Sequence, residues 1–216
     1  MTLTLTLVRH GQTHFNQRQL IQGSCDSPLT RPGRDGVRVT ARHLADIPFV
    51  AAYSSPSGRA VSTAVELLRQ HPQLRLTTDP DLREYDFGTF ERRPERELEE
   101  AAPWTQIVPE ILAGTYPGLP RGESGADFMT RVRRAFATIT ARHAGGDVLV
   151  VGHGLALGAW LATLDPTGLV ALPNASVSTV TVEPDGTARV LAVGVDVAGQ
   201  GTVATRPVPS AQAVGA

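Results

Sequence analysis

The chain holds a single cysteine, Cys25, among 216 residues, so no internal disulfide can staple it. That usage fits a reducing compartment, and the expected setting is the cytoplasm. No apolar run approaches the ~20 residues that a bilayer crossing needs. No basic segment leading into an apolar stretch and a cleavage site opens the sequence, so a secretory signal is not expected either. An excess of one charge is also missing. The formal net charge is −1, and the arginines are scattered rather than massed in a block. Nucleic acid and membrane surfaces are therefore poor candidate partners. There are no internal repeats, and no Cys/His cluster has the spacing of a zinc site, so no metal is expected.

What is present is an alternation of strand and helix signals. Leu3, Leu5 and Leu7 alternate with threonines, which favours a strand running into Val8-Arg9-His10-Gly11. Residues 49–53 read as a short buried strand and 74–78 as an edge strand. Residues 147–151 are apolar without alternation, as expected of a central strand covered on both faces. Residues 177–182 and 188–193 flank Glu183-Pro184-Asp185-Gly186-Thr187, a hairpin signal.

Thr30 and Pro32 open a helix through about Ala45, although Gly33 and Gly36 each cost it ~1 kcal/mol. After a cap region at Ser54-Ser55-Pro56-Ser57, a second helix runs from about Gly58 to Gln70 with Ala60, Ala64, Leu67 and Leu68 on one face. Ser124, with Asp127 approximating a capping box, starts a third, whose Phe128, Val132, Phe136 and Ile139 should be core. A fourth spans Leu155 to Leu164. Residues 13–28 read as a polar loop. From Glu91 to Gly122 prolines and glycines break the pattern, apart from a short helix over Glu95 to Ala102. Such an insertion, about 89–121, is expected to form a lid. The whole predicts an α/β protein, a three-layer α/β/α sandwich with a mostly parallel mixed sheet flanked by helices. Residues 1–195 are expected to form one domain, and 196–216 a flexible tail.

Two strands end alike, in Arg9-His10-Gly11 and Gly152-His153-Gly154. If they are parallel neighbours, both imidazoles meet at the sheet edge where open α/β folds bind ligands. His153 also stands at a helix N-terminus, whose free N–H groups favour an anion. Arg9 adds a fixed charge, and Arg59, in the first turn of its helix, can point at the same edge. Two histidines and two arginines around one small volume make a phosphate pocket. His14, His43, His71 and His143 are expected at the surface, and Cys25 is expected to be inert. Trp104, Tyr116 and Met129 read as packing residues, with Trp104 also able to line an entrance.

Arg9-His10-Gly11-Gln12-Thr13, followed by Asn16, resembles the signature of the histidine phosphatase superfamily, the phosphoglycerate mutase-like family. Five further stretches fit in order. Gln22-Gly23 with Asp26-Ser27-Pro28-Leu29-Thr30 resembles its substrate loop, and Ser54-Ser55-Pro56 with Arg59-Ala60 and Thr63-Ala64 its second-arginine helix. Leu82-Arg83-Glu84 with Asp86-Phe87-Gly88 resembles its acid loop, Gly122-Glu123-Ser124 the start of its late helix, and Val151-Gly152-His153-Gly154 its second-histidine turn. The match covers about residues 5–185.

The resemblance implies the family's fold and a phosphohistidine mechanism. His10 would attack phosphorus while its other ring nitrogen donates to a backbone carbonyl. Arg9, Arg59 and His153 would hold the non-bridging oxygens, and the guanidinium charges would lower the His10 pKa. Glu84, with Asp86 as its rival in the same loop, would protonate the leaving oxygen and then activate water. Asn16, Gln22, Gly23 and Gly154 would contact the substrate. No step requires a metal or other cofactor. The expected partner is a small-molecule phosphomonoester; oligomeric state is left open, a homodimer included.

Within the family the sequence leans toward a phosphatase. Its cofactor-dependent mutases carry a Gly-, Leu-, Asn- and Lys-containing insert after the acid loop, where this chain reads Phe87-Gly88-Thr89-Phe90-Glu91-Arg92-Arg93-Pro94, without lysine. Gly122-Glu123-Ser124 leans the same way. A bisphosphoglycerate-dependent phosphoglycerate mutase and a non-catalytic phospho-ligand binder are the alternatives. Arg92 stands where the phosphatase branch often has glycine, and Ser24-Cys25 where an aromatic residue is common. Arg92 and Arg93 either meet a second anionic group or form a solvated face.

Overall fold

The computed structural model describes residues 1–166 and 170–199. Six strands, β1 (Leu3–Arg9), β2 (Phe49–Ser54), β3 (Leu76–Thr78), β4 (Gly146–Gly152), β5 (Val177–Val182) and β6 (Ala188–Val195), form one sheet in the order β3-β2-β4-β1-β5-β6. The β1–β4, β2–β4 and β2–β3 pairings are parallel, and the β1–β5 and β5–β6 pairings antiparallel. This is the mostly parallel mixed sheet that the strand–helix alternation predicts.

Among the described residues seven α-helices accompany the sheet: α1 (His14–Gln17), α2 (Arg31–His43), α3 (Gly58–Leu67), α4 (Glu95–Ala101), α5 (Trp104–Ala113), α6 (Gly125–Arg142) and α7 (Gly154–Leu164). They cover both faces. Leu5, Leu7, Val148 and Val150 point to one side, against Phe128, Val132 and Phe136 of α6 and Leu157 and Leu161 of α7. Val8, Leu149 and Val151 point to the other, against Val37 and Ala41 of α2 and Ala60, Ala64 and Leu67 of α3. With a core on each side, β4 has no solvent face, which is why its sequence does not alternate.

The helix starts follow from their caps. Thr30 Oγ1 accepts from Gly33 N and Ser124 Oγ from Asp127 N. Ser57, at the start of α3, makes no side-chain cap bond; its own N–H donates to Ser55 Oγ instead. The glycine penalty in α2 has a reason. A β-carbon at Gly33 would stand 2.1 Å from Gln12 O, so glycine lets the first turn of α2 close onto the turn after β1.

Three expectations need correction. The stretch 13–28 is not plain loop: it carries α1, held by a reciprocal Thr13–Asn16 capping box. The insertion contains a second helix, α5, which Pro103 and Pro109 conceal in the sequence. Pro103 only precedes it, and Pro109 costs one backbone bond that the buried Ile107, Val108 and Ile111 offset. His71 is buried, not at the surface, because the 3₁₀ turn after α3 tucks it edge-on against Phe49 at 5.1 Å. The expected tail, beyond residue 199, lies outside the described residues. No helix among the described residues is long and apolar enough to cross a membrane.

Candidate active site

Register places the two histidines. Arg9 pairs with Gly152 at the ends of β1 and β4, and His10 N donates to Gly152 O at 2.9 Å. His10 and His153 therefore leave the sheet side by side, their rings edge to face with centroids 5.3 Å apart. Both are buried. His10 Nδ1 lies 2.9 Å from Gly11 O. A carbonyl only accepts, so Nδ1 carries the proton and Nε2 keeps its lone pair. Gly11 allows the turn: a β-carbon there would meet Val37 Cγ2 at 2.6 Å, and its N–H donates to Thr63 Oγ1 of α3. His153 Nε2 bonds Ser55 Oγ at 2.8 Å, while its Nδ1 is buried without a protein partner.

The cations close around this pair. Arg9 donates to Leu172 O, and its Nε is buried with no partner. Arg59, fully buried in the first turn of α3, donates to the Cys25 and Gly23 carbonyls, both at 2.8 Å, and to Asp26 Oδ1 at 3.0 Å. Burial, with Arg59 and Arg9 reinforcing it, pushes the His10 ring well below the ordinary histidine value. Burial and then Arg59 do the same to His153. Burial also lowers Arg9, with Glu84 and Glu95 opposing and Arg59 adding to the effect.

These shifts carry a stability consequence. In the unfolded chain each ring takes up a proton near pH 6.5; in the folded protein it stays neutral to lower pH. Stability is therefore untouched by these groups above pH 6.5. Below it, stability falls by up to ~1.4 kcal/mol per pH unit per ring, until the folded-state value is reached. Urea midpoints measured between pH 7.5 and 5 should drop accordingly, and His153→Gln should flatten the slope. An identical slope in the variant would show that His153 does not drive it.

Glu84 is where the structure departs most from the sequence reading. Its Oε1 accepts from Tyr85 N and Ala156 N, both at 3.0 Å, and its Oε2 from Leu155 N at 2.9 Å. The anion at the N-terminus of α7 is thus the protein's own carboxylate, not a site left open for a ligand. The result still serves the pocket, since it fixes Glu84 beside the turn that carries His153. The rival Asp86 is tied to its own loop, accepting from Gly88 N at 2.9 Å and from Ser24 Oγ.

The residues expected to contact substrate divide. Asn16 Oδ1 accepts from Thr13 N and from Asn174 Nδ2. The Gln22 amide pairs donors with acceptors when its nitrogen faces Thr13 Oγ1 at 2.8 Å and its oxygen faces Arg59 NH1 at 3.0 Å. Gly23 lies against the acid loop, where a β-carbon would fall 1.9 Å from Tyr85 O. Gln22 and Gly23 thus seat Arg59. Gly154 opens α7 with its α-carbon facing the Arg9 guanidinium.

Several supports lie outside the motifs. Buried Asn174 donates to His10 O at 3.1 Å. Glu91 accepts from Gly23, Ser24, Cys25 and Phe87 N–H groups. Burial works against its charge, but hydrogen bonds from Cys25, Ser24 and Gly23 outweigh that and hold the carboxyl below its ordinary value. Burial pushes the Cys25 thiol up to about 12, with Glu91 adding to it, which disfavours the thiolate form. Arg131 of α6 donates to the carbonyls of Asp81, Arg83 and Glu84 and pairs with Glu123 at 2.5 Å. Replacing it by leucine strands those carbonyls and the Glu123 carboxylate. We expect Arg131→Leu to cost about 3–5 kcal/mol in urea unfolding; a loss under ~1 kcal/mol would mean that the acid loop stands without it.

A six-stranded mixed sheet with helices on both faces, and paired histidines at parallel strand ends ringed by arginines, define the class. The chain belongs to the histidine phosphatase superfamily (branch 1), whose family model matches residues 5–194. It is similar to the Yersinia enterocolitica protein named "Probable phosphoglycerate mutase GpmB", 37% identical over 164 residues, 75% of this chain and 74% of that one. Among solved structures it resembles phosphoglycerate mutase from Bacillus anthracis, with a TM-score of 0.80 and 33% identity over 91% of this chain and 95% of that one. It also resembles the alpha-ribazole phosphatase from Shigella flexneri, with a TM-score of 0.76 and 25% identity over 90% and 97%.

Proposed function

We propose that the protein is a phosphomonoesterase that works through a phosphohistidine on His10. The observation that carries this reading is the His10 ring itself: buried, held neutral beside two arginines, with Nδ1 bonded to Gly11 O so that Nε2 is the nucleophile. Nε2 attacks phosphorus, and the ester P–O bond breaks in line with it. Arg9, Arg59 and His153 hold the non-bridging oxygens as charge moves onto them. For Arg59 this means exchanging part of its carbonyl contacts for phosphate oxygens. Glu84 enters this step as the protonated carboxylic acid, with one oxygen turned away from the α7 N–H groups, and becomes the carboxylate as it gives its proton to the leaving alkoxide. It then takes a proton from the water that attacks the phosphohistidine, releasing inorganic phosphate. Each role falls to a side chain, so the scheme calls on no metal or other cofactor. Asn16, with Gln22 and Gly23 behind Arg59, would border the bound ester.

Hydrolysis is favoured over intermolecular transfer by the segment after the acid loop. It has no lysine, and Arg93 is committed to Glu97 and to the Phe90 ring. The test is rapid quench with a phosphomonoester followed by intact-mass and peptide analysis. We expect a phosphoryl group on His10, and steady phosphate release without bisphosphoglycerate. Conversion of one phosphoglycerate isomer to another that depends on bisphosphoglycerate would assign the mutase instead. Binding of phosphate with no turnover of any monoester would leave only a binding protein.

A further inference from the structure

The hydroxyl of Ser55 stands behind the second histidine, and the scheme above gives it no part. It is fully buried in the turn between β2 and α3. Ser55 N donates to Val151 O at 3.0 Å, which holds that turn against the end of β4, just before His153. Ser55 Oγ then has three neighbours. His153 Nε2 lies at 2.8 Å and Ser57 Oγ at 3.2 Å, and Ser57 N donates to it at 3.3 Å. Ser57 makes no side-chain cap bond to α3, so the turn is arranged around this hydroxyl and not around the helix start.

A hydroxyl carries one proton, and two patterns fit the cluster. In the first, Ser55 donates to Ser57 Oγ and accepts from His153 Nε2, which leaves Nδ1 a bare lone pair. In the second, Ser55 donates to His153 Nε2 and accepts from both Ser57 groups, which puts the ring proton on Nδ1. Nδ1 is buried and has no partner among the described protein atoms. The ring stands edge to face with His10, centroids 5.3 Å apart, and a β-carbon on the next residue, Gly154, would lie 3.4 Å from Arg9 Nε. His153 therefore sits between the nucleophile and a cation. A lone pair on Nδ1 would repel a phosphoryl oxygen there, and an N–H would donate to it.

Given the proposed function, we infer that Ser55 is a positioning residue: its hydroxyl donates to His153 Nε2 and so fixes the tautomer that presents Nδ1–H to the transferring phosphoryl group. Ser55 does not touch the substrate. It acts through the imidazole, in the way that the Gly11 carbonyl acts through His10, but with the opposite choice of nitrogen. Gly11 O accepts from Nδ1 and frees Nε2 to attack; Ser55 Oγ donates to Nε2 and leaves Nδ1 to stabilise charge.

Long-range proton–nitrogen correlation spectra of the imidazoles, recorded with saturating inorganic phosphate, tell a protonated ring nitrogen from a bare one; His153→Gln assigns the His153 signals. Wild type should show Nδ1 protonated and Nε2 bare, and Ser55→Ala should lose that preference. In the same variant kcat/KM for an aryl phosphate should fall about 10–10²-fold, less than outright loss of an oxyanion donor. Added to His153→Gln, Ser55→Ala should cost less than about twofold more, because its route is already cut. A wild-type His153 protonated on Nε2, or on both nitrogens, overturns the inference, as does a His153 signal that phosphate leaves unmoved. An unchanged tautomer in Ser55→Ala, or losses that simply multiply in the double variant, would make Ser55 a support of the turn alone. Should Ser55→Ala not fold, the wild-type spectrum still decides, since a bare Nε2 at 2.8 Å from Ser55 Oγ is accepting its proton. The phosphatase reading is judged separately, by wild-type hydrolysis of an aryl phosphate, so the two can fail independently.

Discussion

His10→Ala should lower kcat/KM for an aryl phosphate by at least about 10⁴-fold. No other group can take over the attack. The nearest imidazole, His153, is turned toward Ser55, with its Nε2 in that hydrogen bond. Water attacking directly would need a base, and Glu84 lies on the leaving-group side of the scheme. The fold should survive, because the backbone bond from residue 10 to Gly152 O does not involve the side chain. Phosphate affinity should persist as well, since Arg9 and Arg59 remain. The comparison is made with both proteins at matched fold content by circular dichroism. Activity within tenfold of wild type would remove His10 from the mechanism.

Glu84→Gln should produce the next largest loss, and one that depends on the leaving group. An alkyl phosphate leaves as a strongly basic alkoxide and needs the proton; a nitrophenyl phosphate does not. We expect kcat/KM to fall about 10²–10⁴-fold for the alkyl ester and far less for the aryl one. The glutamine oxygen can still accept one of the N–H groups that now hold the carboxylate, which keeps the structural damage small. A plot of rate against leaving-group basicity should be shallow for wild type and steep for the variant. Equal losses for both esters would make Glu84 a support of α7 and not an acid.

The architecture and the paired histidines were legible because they rest on side chains whose pattern survives in one dimension. The unbroken apolar run in β4 signals two buried faces, and the repeated His-Gly after a strand signals a shared edge. The supports were not legible, because many of the groups concerned are backbone atoms. The carbonyls of Gly23, Cys25 and Leu172 that engage the arginines have no residue code. Asn174 and Glu91 have ordinary identities and matter only through what the fold brings to them. Arg131 is one polar residue among several on an amphipathic helix, and only the acid loop folding back over α6 gives it partners. The resemblance to known enzymes put Glu84 in the acid loop, but could not say that the start of α7 would hold its carboxylate.

The sheet order has a consequence for how the chain is made. β1 is synthesised first, yet both of its neighbours, β4 and β5, come after residue 145. Through most of translation the emerging segment carries an apolar strand with two bare edges, a form prone to wrong pairing or capture by other chains. His10 gains its backbone bond to Gly152 only when β4 docks. The pairing of His10 with His153 is thus deferred until the central strands have closed, so a half-made chain has neither the two imidazoles side by side nor the sheet edge that presents them.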